Sequence, residues 1–409
     1  MTTFTELRYV AEASATRLLG RTFSLIGKLD TTTDPYPLYE RMRAKGPLYK
    51  ERTGQWVTTS HALANSVLRD RRFGVRKTDG ELPGMSPAAR DATGTFYDSF
   101  LEQDPPDHTR LRRLAAPAFS PRRIDGYRAR VEELVDQLLT RRDFDLIADF
   151  AAPLPIAVIS TLLGIPDEDT AEFAEHGKVV GATLDGPTSL AQVRALRKTT
   201  ADLDALFTRL IERRRHDPGE DVISDLVQAE GDGKINTHEL VATCGLLLIA
   251  GFETTVNLIG NGTAALLRHP DQFALLRADP DLAPAVVEEV LRFDPPVQLT
   301  ARVAHEDVDL AGHRVRRDEE VYVVIAAANR DPEVYPGPDR FDLARERKPE
   351  HLAFSSGIHY CLGATLARME GEVVFRALAR LPRLRQAGTA SYRASTVIRG
   401  FASFPVSRS

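Results

Sequence analysis

The chain reads as a mainly α-helical protein with a small β region, and three observations predict this. Helical periodicity dominates its 409 residues, strand-like runs are few and short, and one segment, 241–267, is apolar almost throughout. Apolar spacing predicts helices over 37–45, 61–70, 107–117, 122–140, 153–163, 190–215, 237–268, 281–293 and 362–380. The strand-like pieces are Leu48–Lys50, Trp56–Thr59, Val308–Leu310, Val321–Val324 and the tail around Val397–Val406, with Thr300–Val303 entering a further β segment. Residues 73–100 carry Gly74, Gly80, Pro83, Gly84, Pro87 and Gly94, and read as a long irregular loop facing a ligand.

Length alone suggests two or three domains, but no linker, repeat or low-complexity tract divides the chain. The expectation is therefore a single unit over 1–409, with residues 1–30 as a short amphipathic lead-in. A net charge of −5 argues against a nucleic-acid binder, which would show a strongly basic face. Two cysteines, Cys244 and Cys361, leave no disulfide framework and fit a reducing cytosol. The N-terminal stretch is interrupted by Arg8, Arg17, Arg21 and Lys28 and shows no signal-peptide cleavage site. Within 241–267 the single charge, Glu253, sits near the midpoint, and glycines dilute the apolarity. A helix through the centre of a folded protein is expected there rather than a membrane span.

Cys361 lies in Phe354-Ser-Ser-Gly-Ile-His-Tyr-Cys361-Leu-Gly363, just before a helix. The free N–H groups of that helix start are expected to lower the thiol pKa and favour the metal-ligating thiolate. Gly357 and Gly363 allow a flat, bulky partner to approach, which suits an iron porphyrin. On the long helix, Leu247, Ala250, Gly251, Thr254 and Leu258 share one face, where small residues beside a hydroxyl open a groove that can hold water. Glu289 and Arg292 stand at i, i+3, and with Arg340 they suit a buried ion network. His108 and Arg112 stand at i, i+4 and suit a grip on carboxylates, with Arg302 as a third anion contact. Taken singly, each of these patterns also suits an ordinary core helix or a solvated surface.

Together they resemble the bacterial class I cytochrome P-450 family over nearly the whole chain. The resemblance rests on the cysteine loop, Ala250-Gly251-Phe252-Glu253-Thr254, Glu289-Val-Leu-Arg292, Pro338-Asp339-Arg340-Phe341 and Ala328-Asn-Arg-Asp-Pro332. It implies a haem-thiolate monooxygenase that inserts one atom of O2 into an apolar organic substrate, by hydroxylation or epoxidation, in secondary metabolism. It implies Cys361 as axial ligand of haem b, with His108, Arg112, Arg302 and His359 on the propionates. Glu253 and Thr254 become the acid–alcohol pair assisting O2 activation, and Glu289, Arg292 and Arg340 support the cysteine loop.

Pocket walls are expected from the 73–100 loop, from Leu247, Ala250 and Gly251, and from Val297, Leu299 and Phe401. Electrons would come from a ferredoxin and its reductase, with Arg110, Arg113, Arg122 and Arg123 as candidate contacts. The expected protein is a cytoplasmic monomer with no nucleic-acid or membrane partner. One position departs from the family: Ser355 stands where glycine is usual, in a turn that a positive φ would strain. Two other outcomes stay open on the residues: the same fold catalysing oxidative coupling, desaturation or ring formation, and a haem-binding sensor or carrier without turnover.

Overall fold

The computed structural model describes residues 4–83, 95, 98–183, 186–187, 189–346 and 348–408. Its axis is the helix Thr237–Arg268, expected over the same residues. Its start is fixed by a reciprocal cap: the Asn236 side chain accepts from the Glu239 N–H, and Glu239 accepts from the Asn236 N–H. Pro270 opens the next helix, Pro270–Ala278, and ends this one, because the residue before a proline avoids helical geometry. This helix and the segment Leu146–Leu163 are both long and apolar enough to cross a membrane. They are 78% and 72% buried within the protein, so both are core elements.

Around this axis pack Pro153–Leu163, Asp167–Gly181, Leu190–His216, Ala283–Phe293 and Ala364–Arg380. The cluster they enclose runs from Phe150 and Phe173 through Leu248 and Ile259 to Val374 and Phe375. The expected Pro153–Leu163 helix ends on Gly164, whose left-handed φ of 71° stops it. Helices also form at Asp167–Gly181, Val222–Gly231 and Pro270–Ala278, where none was expected. The lead-in is a helix, Phe4–Phe23, followed by a 3-10 turn.

The β region is mainly one five-stranded sheet. Its order is Tyr49–Lys50, Trp56–Thr58, Glu320–Val323, Thr300–Ala304, Phe73–Gly74. Only the Trp56–Thr58 and Glu320–Val323 pair is parallel. Arg302 stands opposite Val321 and is buried, so register turns its side chain inward, towards the elements that carry the site. A second sheet joins Asp143–Asp145, Pro405–Arg408 and Leu384–Gln386. The expected loop at 73–100 begins as a strand and closes with a 3-10 turn at Phe100–Glu102. Its middle, 84–94 and 96–97, lies outside the described residues.

Candidate active site

The loop carrying Cys361 is shaped by backbone bonds. The Cys361 N–H donates to the Phe354 carbonyl at 2.8 Å, and a 3-10 turn spans Gly357–His359. Gly357 is required there: its φ is +70°, and a Cβ would come within 2.3 Å of the Leu68 carbonyl oxygen. Ser355 takes φ +62°, the strained turn its sequence position implied, and its hydroxyl has no hydrogen-bond partner among the described residues. Cys361 is exposed, while burial pushes its thiol pKa up. Protein packed around the loop desolvates the sulfur although the residue as a whole is exposed. The Gly363 N–H and the charges of Arg112 and Arg368 pull the other way and lose. The expectation that the helix start alone would favour thiolate is corrected: desolvation wins, and the anion needs a cation beside it.

The four expected donors converge. The rings of His108 and His359 lie 4.3 Å apart, and Nδ1 and Nε2 of His108 and Nε2 of His359 are buried without a hydrogen-bond partner. Arg112 Nη2 donates to the Tyr360 carbonyl at 2.5 Å. Arg302 Nη1 donates to the Ala301 carbonyl at 2.8 Å. His359 is held down to about 2 by burial first, then by the charges of Arg302, His108 and Arg112. Burial brings Arg302 down to about 10. Buried imidazoles left unbonded beside two guanidiniums are costly in isolation and describe a cradle suited to a polyanion. The residues therefore fit a haem: a thiol for the iron, and a cluster of donors for two propionates.

On the long helix, burial is interrupted where the shared face was expected. Ala250 is exposed and Gly251 and Thr254 are half-buried, in the midst of otherwise buried turns. Leu247 and Leu258 are buried, so the opening is narrower than that face. The Thr254 hydroxyl donates to the Ala250 carbonyl at 2.8 Å. Glu253 is turned into the core. Both of its oxygens lie 2.7 Å from Arg393 Nη1, and a Cβ on Gly181 would sit 2.2 Å from one of them. Arg393 was not anticipated, being 140 residues away in a different element.

Glu289 and Arg292 form a buried bidentate pair at 2.8 Å. Arg292 also donates to the carbonyls of Asn329, Pro338 and Arg340. The expected role of Arg340 is corrected: it contributes its carbonyl, while its guanidinium is 76% exposed. Arg345 is the second cation, 3.3 Å from Glu289 Oε1. A further unanticipated pair, Arg368 and Glu288 at 2.6 Å, places the guanidinium 4.5 Å above the Phe354 ring in the cysteine loop.

Two expected wall residues are also corrected. Phe401 packs its ring between Tyr392 and Phe404, with centroids 4.1 and 4.7 Å away, and Leu299 is buried in a cluster with Tyr39 and Met42. Val297 is half-buried and bridges to Ile398. Of the four surface arginines, Arg110 is tied to Asp107 and Glu239, and Arg123 to Asp225. Arg113 and Arg122 are exposed, with no ion pair among the described residues.

The chain is similar to known proteins over most of its length. A family model described as cytochrome P-450 matches residues 187–381. The biotin biosynthesis cytochrome P-450 of Bacillus subtilis is 39% identical over 362 residues, covering 87% of this chain and 91% of the relative. Cytochrome P-450 monooxygenase PikC of Streptomyces venezuelae is 41% identical over 394 residues, covering 92% of each. The crystal structure of P-450 BioI in complex with a hexadec-9Z-enoic acid ligated acyl carrier protein superposes with a TM-score of 0.85. Its identity is 38%, and the match covers 92% of this chain and 99% of that one.

Proposed function

Because the chain belongs to the cytochrome P-450 family and is a monooxygenase of that family, we propose that it oxygenates an apolar organic substrate of secondary metabolism, by hydroxylation or epoxidation, using haem b. Haem, when bound, supplies the reductive activation of O2 and the oxygen transfer, which no side chain can perform. Cys361 would hold the haem iron through its sulfur. The Gly363 N–H and the charges of Arg112 and Arg368 support the anion that burial otherwise disfavours. His108, Arg112, Arg302 and His359 would hold the propionates through charge-assisted hydrogen bonds, which would give the unbonded ring nitrogens of the two histidines a partner.

Thr254 Oγ1, fixed by the Ala250 carbonyl, accepts a hydrogen bond from water on the open face and passes a proton at that oxygen. Glu253 lies behind it with its carboxylate held in an ion pair by Arg393; to join the relay it has to leave that pair and take up a proton from solvent first. Ala250 and Gly251 keep this face small enough for substrate. Electrons come from a separate ferredoxin and its reductase, with Arg113 and Arg122 as contacts for an acidic partner. The same reading places the chain in the cytoplasm as a monomer.

The convergence of four donors, two of them unbonded buried imidazoles, beside an accessible buried thiol carries this reading. Its test is the absorption spectrum of the reduced, carbon-monoxide-treated protein, with Cys361→Ser as control. A Soret band shifted to the red in the parent and absent from the variant is expected; an unshifted parent band overturns it. Thr254→Ala should lower product formed per O2 consumed. Labelled dioxygen missing from the product would instead favour coupling, desaturation or ring formation.

A further inference from the structure

Among the described residues, one group of metal-ligating side chains lies outside the site: Glu172 and His176 on the helix Asp167–Gly181, and Asp202 on the helix Leu190–His216. Each offers a ligand atom, and these atoms lie within 4.8 Å of one another. The i, i+4 spacing of Glu172 and His176 puts them on one helix face. His176 Nε2 stands 3.5 Å from Glu172 Oε1. Bonds of about 2.1 Å arranged tetrahedrally put two ligand atoms roughly 3.4 Å apart, so this pair is already spaced for an ion.

The His176 side chain is only 10% exposed, and its ring makes no hydrogen bond among the described residues. Its Nε2 faces the Glu172 carboxylate, with that of Asp202 close by. Asp202 crosses from the neighbouring helix and is held by Lys198 Nζ at 2.5 Å. The Lys198 side chain is 77% exposed, and ion pairs of that kind contribute little, so a divalent ion displaces it at small cost.

We propose that Glu172, His176 and Asp202 bind one borderline divalent cation of the zinc class, water completing the shell. One imidazole with two carboxylates suits zinc, whereas calcium and magnesium take oxygen ligands throughout. The ion joins two helices that both pack on the Thr237–Arg268 helix. It therefore acts as a clamp that restrains their relative movement beside the active site.

The test is titration of haem-loaded, chelator-treated protein with zinc chloride against a chromophoric chelator, with thermal unfolding in parallel. Haem loading keeps Cys361, His108 and His359 from competing for the metal. One ion per chain should bind, and excess zinc should raise the unfolding midpoint by linkage. His176→Ala should weaken binding by roughly a hundredfold, since even outer-sphere substitutions cost about 10–100-fold. Asp202→Asn should weaken it at least about tenfold on the same scale and shrink the thermal shift. Lys198→Ala, which removes the competing ammonium, should tighten binding. No zinc binding, or binding indifferent to His176→Ala, overturns the site; a thermal shift undiminished in Asp202→Asn overturns the clamp.

Discussion

Two buried polar regions flank the cysteine loop, and they are built on opposite terms. In the Glu289–Arg292–Arg345 network, each guanidinium nitrogen of Arg292 has a partner. Glu289 Oε1 takes bonds from Arg292, Arg345 and the Asp342 N–H. In the His108–His359 pair, three ring nitrogens are buried with no partner among the described residues. Burial is similar, while satisfaction is not. A completed network holds a fold; an incomplete one marks where another molecule belongs. Substitution should therefore move the two regions in opposite directions.

The largest effect is expected from breaking the completed network. Arg292→Ala takes the bidentate partner from buried Glu289 and leaves it only Arg345 and the Asp342 N–H on one oxygen, which costs about 3–5 kcal/mol, read as a lowered urea midpoint or loss of folded protein. Arg340→Ala, whose guanidinium is exposed, should stay within about 0.5 kcal/mol. Equal damage from the two would remove the distinction between carbonyl and guanidinium roles.

Glu370 is the intermediate case, half satisfied. It is 2% exposed, Oε2 accepts from the Thr255 hydroxyl at 3.4 Å, and Oε1 has no partner among the described residues. Burial pushes its pKa from 4.5 up to about 8. Between those values the folded state holds a proton that the unfolded chain releases. Stability from this group is thus complete below pH 4.5 and declines as pH rises towards about 8. The loss reaches up to about 1.4 kcal/mol for each pH unit crossed. Glu370→Gln, neutral throughout, should gain on the parent steadily across that window in denaturant titrations. A constant offset would mean that the carboxyl is not buried as a neutral acid.

Sequence patterns reached the elements whose signals are local. The central helix was legible because its cap at Asn236 and its stop at Pro270 are short-range features. The proposed cofactor donors were named by the family resemblance, whose motifs lie along the sequence, while their spacing alone suited a solvated helix end equally well. What escaped was non-local or weakly periodic. The helix Asp167–Gly181 buries only Phe173, His176, Gly177 and Val180, too few large apolar residues to show a stripe. Arg393 meets Glu253 from a distant element, and nothing near either residue announces the pair. Arg345 displaced Arg340 because the chain folds back after Phe341, so the arginine nearest the motif faces solvent. Glu370 did leave a trace: an acid among Met369, Gly371, Val373 and Val374 on a buried helix.

Removing the cofactor sharpens the comparison at the other region. In haem-free protein, His108→Leu replaces an unbonded buried imidazole with an apolar group and should raise stability by about 1–3 kcal/mol. In haem-loaded protein the same change should speed haem loss to a scavenging globin. Burial, with Arg112, lowers the His108 pKa from 6.5. Below that value the unfolded chain binds a proton the folded one refuses, so stability of the haem-free parent falls as pH drops through that range. The variant should lack this component. A destabilised haem-free His108→Leu would mean that the imidazole has a structural partner after all.

The smallest effect concerns Ser355, where two terms nearly cancel. A non-glycine residue at φ +62° costs about 1–2 kcal/mol, which glycine would relieve. Glycine adds about 0.5–1 kcal/mol of unfolded-state entropy in return. Loss of the unbonded hydroxyl tips the sum towards stabilisation. Ser355→Gly should therefore raise the thermal midpoint slightly and leave the red-shifted Soret band in place, since the Cys361 N–H bond to Phe354 does not depend on that side chain. If the variant lowered stability or moved the band, serine would be shaping the loop around the sulfur rather than being tolerated in it.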